Sequence, residues 1–333
     1  MRRLEIARRL GAVGAVVGVA ASLVSACASS PGTDASGAEC KREYTIGFSH
    51  PVGEAAFVKT LKKQVEEQAE KIGCVSVLMD NTQANDLQSQ RAALETWVTQ
   101  RVDAIVVLPV DASSLENLKK SAQAKGIKWL TYAAPGEGTD GFTGFNNAAA
   151  GKAVGDAAAE FIKERNLAGK VVAAVTTLSP LPDVAGRWKE PIKAINGAGV
   201  EIVSEQDCGD ETCGLQIAET LLRQHPNLRV FVGMNDDAAL GAAKAFANAG
   251  IDPSEVFIGG QDGSLEALKA VKAGGAYRIS AAIDMPELAH AVVQNPINAV
   301  NGTGETSTEA PIVPATLKDP KKLDELIEQM SAG

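Results

Sequence analysis

Histidine is scarce in this chain: three occur in 333 residues, and they are scattered. His50, His225 and His290 have no second ligand at metal-binding spacing, so no metal is expected. A Gly-x-x-x-x-Gly-Lys phosphate loop is missing, and so is the Gly-x-Ser-x-Gly turn that presents a nucleophilic serine. Without a recognisable acid–base pair either, the sequence does not suggest an enzyme or a cofactor. Positive charge is also in deficit, with 32 Lys and Arg against 41 Asp and Glu. Such a chain has no electrostatic footprint for nucleic acid and is repelled by anionic lipid. Beyond the N-terminus, no run is long and apolar enough to span a bilayer. The stretch "GEGTDG", Gly136 to Gly141, does fit G-x-G-x-x-G. A dinucleotide fingerprint must open a helix, whereas "FTGF" follows here and reads as a strand, so the stretch is a glycine-rich turn.

What is present begins with an export signal. Arg2, Arg3, Arg8 and Arg9 precede an uncharged stretch from Leu10 to Leu23, too short for a spanning helix. "LVSAC" then places Cys27 where a secretory signal would be cut, and it resembles the bacterial lipobox. Residues 1–26 read as the signal and Cys27 as an acylated N-terminus, with Sec and twin-arginine export both open. The following "ASSPGTDASGAE" is small and polar, a tether within 27–40 with a reach of roughly 20 Å. Loss of residues 1–26 leaves 28 basic and 40 acidic residues, a formal charge of −12. The expected location is extracytoplasmic, on the outer face of the bacterial cell membrane, with attachment through the lipid anchor only. Four cysteines remain. An even number in an exported protein favours disulfides, with Cys40 pairing Cys74 and Cys208 pairing Cys213 across a short turn, "GDET".

From Tyr44 onward, β-rich runs alternate with amphipathic helices. "YTIGFS" leads into a helix with Phe57, Leu61, Val65, Ala69 and Ile72 on one stripe, ended by Gly73. "VSVLMD", a helix from about Asn85 to Gln100, "DAIVVLP", a helix from Ala112 to Lys125 and "IKWLTYA" follow. A second series starts after Asn146 and runs through "VVAAVTTL", "EIVSEQ", a helix from about Leu215, "RVFVGM", "VFIGGQD" and "YRISAAID". Two such series predict an α/β fold of two doubly wound parallel-sheet lobes.

Polar residues gather beyond the C-terminal ends of these strands, the edge where open parallel sheets bind ligands. They are Asn235, Asp262, Asp284, Arg187 in the loop after "VVAAVTTL", and Glu54 with the aromatic Phe57 after the first strand. Asp and Asn bridge adjacent hydroxyls, Arg offers a fork of donors, and a ring covers the C–H face of a sugar. Asp236 and Asp237 open a helix, where they serve as cap and dipole complement.

The runs "FVGMNDDAALGAAKAFANAG", "FIGGQDGSLEALKAV" and "ISAAIDMPELA" resemble the ribose-binding class of periplasmic solute-binding proteins, and the likeness extends from about Tyr44 to Leu317. The resemblance implies sugar contacts at Arg187, Asn235, Asp262 and Asp284. It also implies two lobes joined by a three-segment hinge near Phe145–Asn147, Asp284–Glu287 and Ala310–Pro314. The N-terminal lobe would then hold 41–145 with 285–312, and the C-terminal lobe 146–284 with 313–333. Departures from the pattern are informative. Ala133 and Ala134 stand where sugar-binding members usually carry an Asp-Arg pair, leaving Tyr132 as the nearest polar group. Gln261 replaces the usual aromatic before Asp262. The resemblance implies a substrate-binding lipoprotein that delivers a small polyol or monosaccharide to the permease of an ABC importer. A receptor presenting the same ligand to a membrane signalling protein would use the same residues, so it stays open. A DNA-binding repressor on this fold would need a helix-turn-helix where this chain has an export signal.

Overall fold

The computed structural model describes residues 42–332, except 54, 81 and 83–85. The expectations for the signal, the tether, Cys27, Cys40 and Glu54 therefore lie outside the described residues. The chain begins with β1 (Tyr44–Ser49), α1 (Ala56–Ile72), β2 (Val75–Met79), α2 (Leu87–Gln100), β3 (Ala104–Val107), α3 (Ala112–Ala124), β4 (Lys128–Tyr132) and β5 (Gly141–Phe145). The second series is α4 (Asn147–Glu164), β6 (Val172–Thr177), α5 (Gly186–Gly197), β7 (Glu201–Asp207), α6 (Glu211–Gln224), β8 (Leu228–Val232), α7 (Asp236–Asn248), β9 (Phe257–Asp262), α8 (Leu265–Ala273) and β10 (Tyr277–Ile283). It closes with α9 (Met285–Asn301), β11 (Ser307–Ala310), β12 (Ile312–Thr316) and α10 (Pro320–Ala332).

Two six-stranded sheets result, in the orders β11-β5-β4-β3-β1-β2 and β12-β10-β9-β8-β6-β7. Helices cover both faces of each sheet. The inner strands are accordingly apolar without alternation: Ala104 to Val107 of β3 are all buried. On α1 the 3.6-residue stripe buries Phe57, Leu61 and Val65. Gly73 ends that helix with φ 81°, a left-handed C-cap whose N–H reaches the Ala69 carbonyl. The "GEGTDG" stretch connects β4 to β5, a strand, in keeping with its reading as a turn.

Strand order matters more than strand count for function. In each sheet the chain starts in the interior, moves outward one way, then reverses: β1 lies between β2 and β3, and β6 between β7 and β8. The loops leaving β1 and β3 diverge to opposite faces and open a crevice at their carboxyl ends, as do those leaving β6 and β8. The chain passes between the sheets after β5, after β10 and at Pro311 between β11 and β12. The Asp284 N–H donates to the Pro311 carbonyl at 2.9 Å, tying the second passage to the third.

Two details differ from the sequence reading, and one disulfide agrees with it. β12 runs antiparallel to β10, because it enters from the other lobe after a single linking residue. α6 begins a turn before Leu215: Asp210 caps it by accepting the Cys213 N–H at 2.9 Å. Cys208 and Cys213 form a disulfide with Cα atoms 5.8 Å apart, joining the cap loop to that first turn. Cys74 is also disulfide-bonded. Among the described residues, no helix is long and apolar enough to cross a membrane.

Candidate ligand-binding cleft

A cavity of about 460 Å³ opens where the carboxyl ends of the two sheets meet. The loops at both strand-order reversals supply its walls: His50 follows β1, Leu108 follows β3, Leu178 follows β6, and Met234 and Asn235 follow β8. Phe57 and Val58 from α1 and Phe145 from β5 add apolar surface.

Its charged floor belongs to the second lobe. Arg187, only 4 % exposed, lies in the first turn of α5 rather than in a loop. Its Nε donates to the Met234 carbonyl at 2.8 Å, and its Nη2 pairs with the Asp262 carboxylate. The guanidinium also lies 5.5 Å from the centre of the Phe145 ring. Asp262 ends β9 with φ 115°, a backbone conformation that costs on the order of 1–3 kcal/mol for a residue with a side chain. Strain of that size is held by the Arg187 pair and by the surrounding sheet. Burial raises the Asp262 pKa above the usual carboxylate value, and the Arg187 charge opposes the shift.

Asn235 is the N-cap of α7: its Oδ1 accepts the Ala238 N–H at 3.0 Å, and its Nδ2 donates to the Gly209 carbonyl at 2.8 Å. The cap role expected of Asp236 therefore falls to Asn235. Asp236 is instead a buried hub, accepting from the Ser264 N–H and the hydroxyls of Tyr277 and Ser280 at 2.7–2.9 Å. Burial and the Asp262 charge push its pKa up to about 7 against those three donors. Asp237 faces the cavity. Burial, then the Asp262 charge, pushes its pKa up to about 6, while a hydrogen bond from the Ala56 N–H holds it down. Ala56 opens α1, which has no side-chain cap of its own.

Of the residues expected from sequence, Phe57, Tyr132, Arg187, Asn235 and Asp262 line the cavity together. Gln261 and Asp284 do not. Successive strand residues face opposite sides, so Gln261 points away from its neighbour Asp262. It is buried, and its Nε2 donates to the Arg187 and Gly233 carbonyls, at 2.9 and 3.3 Å. It fixes the loops that carry the site. Asp284 caps α9, accepting the Glu287 N–H at 3.2 Å, and borders a separate surface depression with Pro311 and Gln329. Sequence reasoning missed His50, Asn147, Asp237 and Phe145 as cavity residues. The signal that could have found them is position: each lies at a strand end, a helix start or a passage between the sheets.

Comparison with known proteins places this geometry in a family. Residues 46–304 match the family model described as a periplasmic binding protein domain. The ribose import binding protein of Bacillus subtilis (strain 168) is 30 % identical over 266 residues, covering 78 % of this chain and 84 % of that protein. Among solved structures, a solute binding protein of an ABC transporter from Bacillus halodurans C-125, with bound myo-inositol, superposes with a TM-score of 0.74. It is 22 % identical and covers 87 % of this chain and 99 % of its own. One from Mycobacterium smegmatis, with bound glycerol, gives a TM-score of 0.73 at 23 % identity, covering 84 % and 96 %. Two lobes of like strand order around a polar-floored cleft, together with these matches, show that the chain belongs to the periplasmic binding protein family, among proteins that bind their ligand rather than transform it.

Proposed function

We propose that this chain is the extracytoplasmic substrate-binding lipoprotein of an ABC importer, and that it captures a small polyol or monosaccharide between two closing lobes. The observation that carries the reading is the buried Arg187–Asp262 pair at the foot of the cleft, with Asn235 beside it and Phe57 and Phe145 as apolar walls. A guanidinium fork and a carboxylate side by side satisfy both the oxygens and the protons of adjacent hydroxyls, while rings cover the carbon skeleton. A cavity of about 460 Å³ is of the size that encloses a small molecule. The names of relatives point the same way, toward ribose import and toward complexes with myo-inositol and glycerol. The lobes would close by bending at the three passages between the sheets, and the permease would read the closed form. Cys27 would hold the receptor at the membrane.

The test is a thermal-shift panel of glycerol, erythritol, xylitol, D-ribose, D-allose and myo-inositol, with L-leucine and adenosine as contrasts. A ligand at 1,000 times its dissociation constant adds about 4 kcal/mol. For a chain of this size that raises the melting temperature on the order of 10 °C. A shift with one or more hydroxylated compounds is expected. A shift with leucine or adenosine alone would overturn the ligand class.

A further inference from the structure

The two walls of the cleft differ in kind. The second-lobe wall carries Arg187, Asp237 and Asp262, whereas the first-lobe side and the passage after β5 offer, among the described residues, hydrogen-bonding groups without formal charge. Three of those groups line the same cavity, and two of them carry a polar atom without a partner.

His50 is 7 % exposed, and burial, then the charge of Lys62, pulls its pKa down to about 3, so the imidazole is neutral. Its Nδ1 accepts the Val52 N–H at 3.2 Å, which leaves the proton on Nε2. Asp80 holds the residue in place: it accepts the Ser49 hydroxyl at 2.6 Å, the Thr82 hydroxyl at 2.7 Å and the His50 N–H at 3.4 Å.

Tyr132 packs edge-on to His50, with ring centres 5.4 Å apart, and to Phe48 and Phe145. It is 1 % exposed, and its hydroxyl has no hydrogen-bond partner. Asn147 opens α4 at the first passage between the sheets and is 8 % exposed. Its Nδ2 donates to the Ala133 carbonyl at 2.7 Å, so the amide orientation is fixed and Oδ1 is the free end. That Oδ1 is also unpartnered. Two orphaned polar atoms lining one cavity are uncommon in a native interior, because each carries a desolvation penalty when left unpaired.

The three groups define what would satisfy them. His50 Nε2–H is a donor, Asn147 Oδ1 is an acceptor, and Tyr132 OH is either. A carboxylate offers only acceptors and leaves Asn147 unpaired. An ammonium offers only donors and leaves His50 unpaired. A hydroxyl accepts from one and donates to the other. We infer that His50, Tyr132 and Asn147 form an uncharged subsite that reads one hydroxyl of the ligand beside the Arg187–Asp262 pair, with Phe145 packed against both Tyr132 and Arg187. The subsite makes the receptor selective for neutral polyols and sugars over their carboxylate and amino counterparts. The inference rests on the sugar or polyol reading above and refines it.

Tyr132→Phe gives the sharpest test, because it removes only an oxygen that the protein leaves unpaired. Affinities are measured by isothermal titration for every panel compound that shifts the wild type, with melting temperatures taken in parallel without ligand. The expected result is at least a tenfold loss of affinity with an unliganded melting temperature equal to or above that of the wild type. Asn147→Ala is the second variant, with the same expected loss of affinity. Affinities within threefold of the wild type in both variants would overturn the subsite. So would a loss of affinity in Tyr132→Phe matched by a fall in unliganded melting temperature, since that marks a structural role. For each panel compound that binds, its carboxylate and amino counterparts should bind at least tenfold more weakly, and equal binding of either would also overturn the subsite. A panel in which no hydroxylated compound binds the wild type falsifies the parent reading instead, so the two failures are distinct.

Discussion

Asp237 illustrates how a single carboxylate can be placed at a cost and still be useful. It faces Asp262 across the floor, with Glu211 and Glu266 further off, and its direct counterweight is the Ala56 N–H at the start of α1. Its pKa rises from 3.8 to about 6, so the folded chain holds this proton more tightly than the unfolded chain does. The stability from that proton is fully present below about pH 4 and is lost as pH rises through about 6. Asp237→Asn keeps the acceptor oxygen and removes the charge. The variant should therefore gain stability relative to the wild type between pH 4 and pH 7.5, by about 1–2 kcal/mol after screening at its exposed edge. Urea denaturation at both values measures the difference, and a flat difference would show that the carboxylate is unperturbed. Arg187, Asn235 and Asp262 were legible in the sequence because one rule, polar groups at strand ends, finds them, while Phe57 entered as the ring after the first strand and Tyr132 through the family resemblance. Gln261 and Asp284 obey the same rule in sequence, yet one faces the other side of its strand and the other caps a helix. Only side-chain direction separates the cases. Tyr132 was legible as a position, but its unpaired hydroxyl depends on Phe48, His50 and Phe145 arriving from other strands.

Among elements, the pair α6 and α7 shows what glycine in a helix can be for. A Cβ on Gly241 would lie 2.0 Å from the Glu211 carbonyl, and one on Gly214 would lie 2.1 Å from the Ala238 carbonyl. The two helices touch backbone to backbone, which sets the position of the Asn235 cap and of the loop at Gly209 that it binds. Gly241→Ala would improve intrinsic helix propensity by about 1 kcal/mol. The clash with a main-chain atom cannot be relieved by rotating a side chain, and overpacking typically costs 1–3 kcal/mol. The net expectation is a loss of up to about 2 kcal/mol in chemical denaturation, and a stabilised variant would mean the helices stand further apart. Helix boundaries were legible where a stripe ends in a glycine, as at Gly73 and Gly126. The start of α6 was not, because Asp210 caps it within a segment also held by a disulfide. β11 and β12 escaped notice for another reason. "STEA" and "IVPAT" are short, mostly unburied edge strands, and Pro314 within the second argues locally against a strand.

For the molecule as a whole, the proposed closure must come from contacts that exist only when the lobes meet. Several of the groups described above are divided between the lobes: Phe145 beside Arg187, and Asp237 at the start of α1. A ligand bound by His50 and Tyr132 on the first-lobe wall and by Arg187 and Asp262 on the second-lobe floor would add a further set, realised only on closing. A ligand shifts the open–closed balance by its differential affinity for the two forms and by nothing else. A compact chain of this length has a radius of gyration of about 20 Å. Small-angle X-ray scattering with a saturating panel ligand should approach that value, with a larger radius in its absence. Tyr132→Phe at saturating ligand should still close, because the floor contacts remain, but at higher ligand concentration. A radius that does not change on ligand binding would mean that the lobes are already fixed, and that recognition rather than movement is what a permease reads.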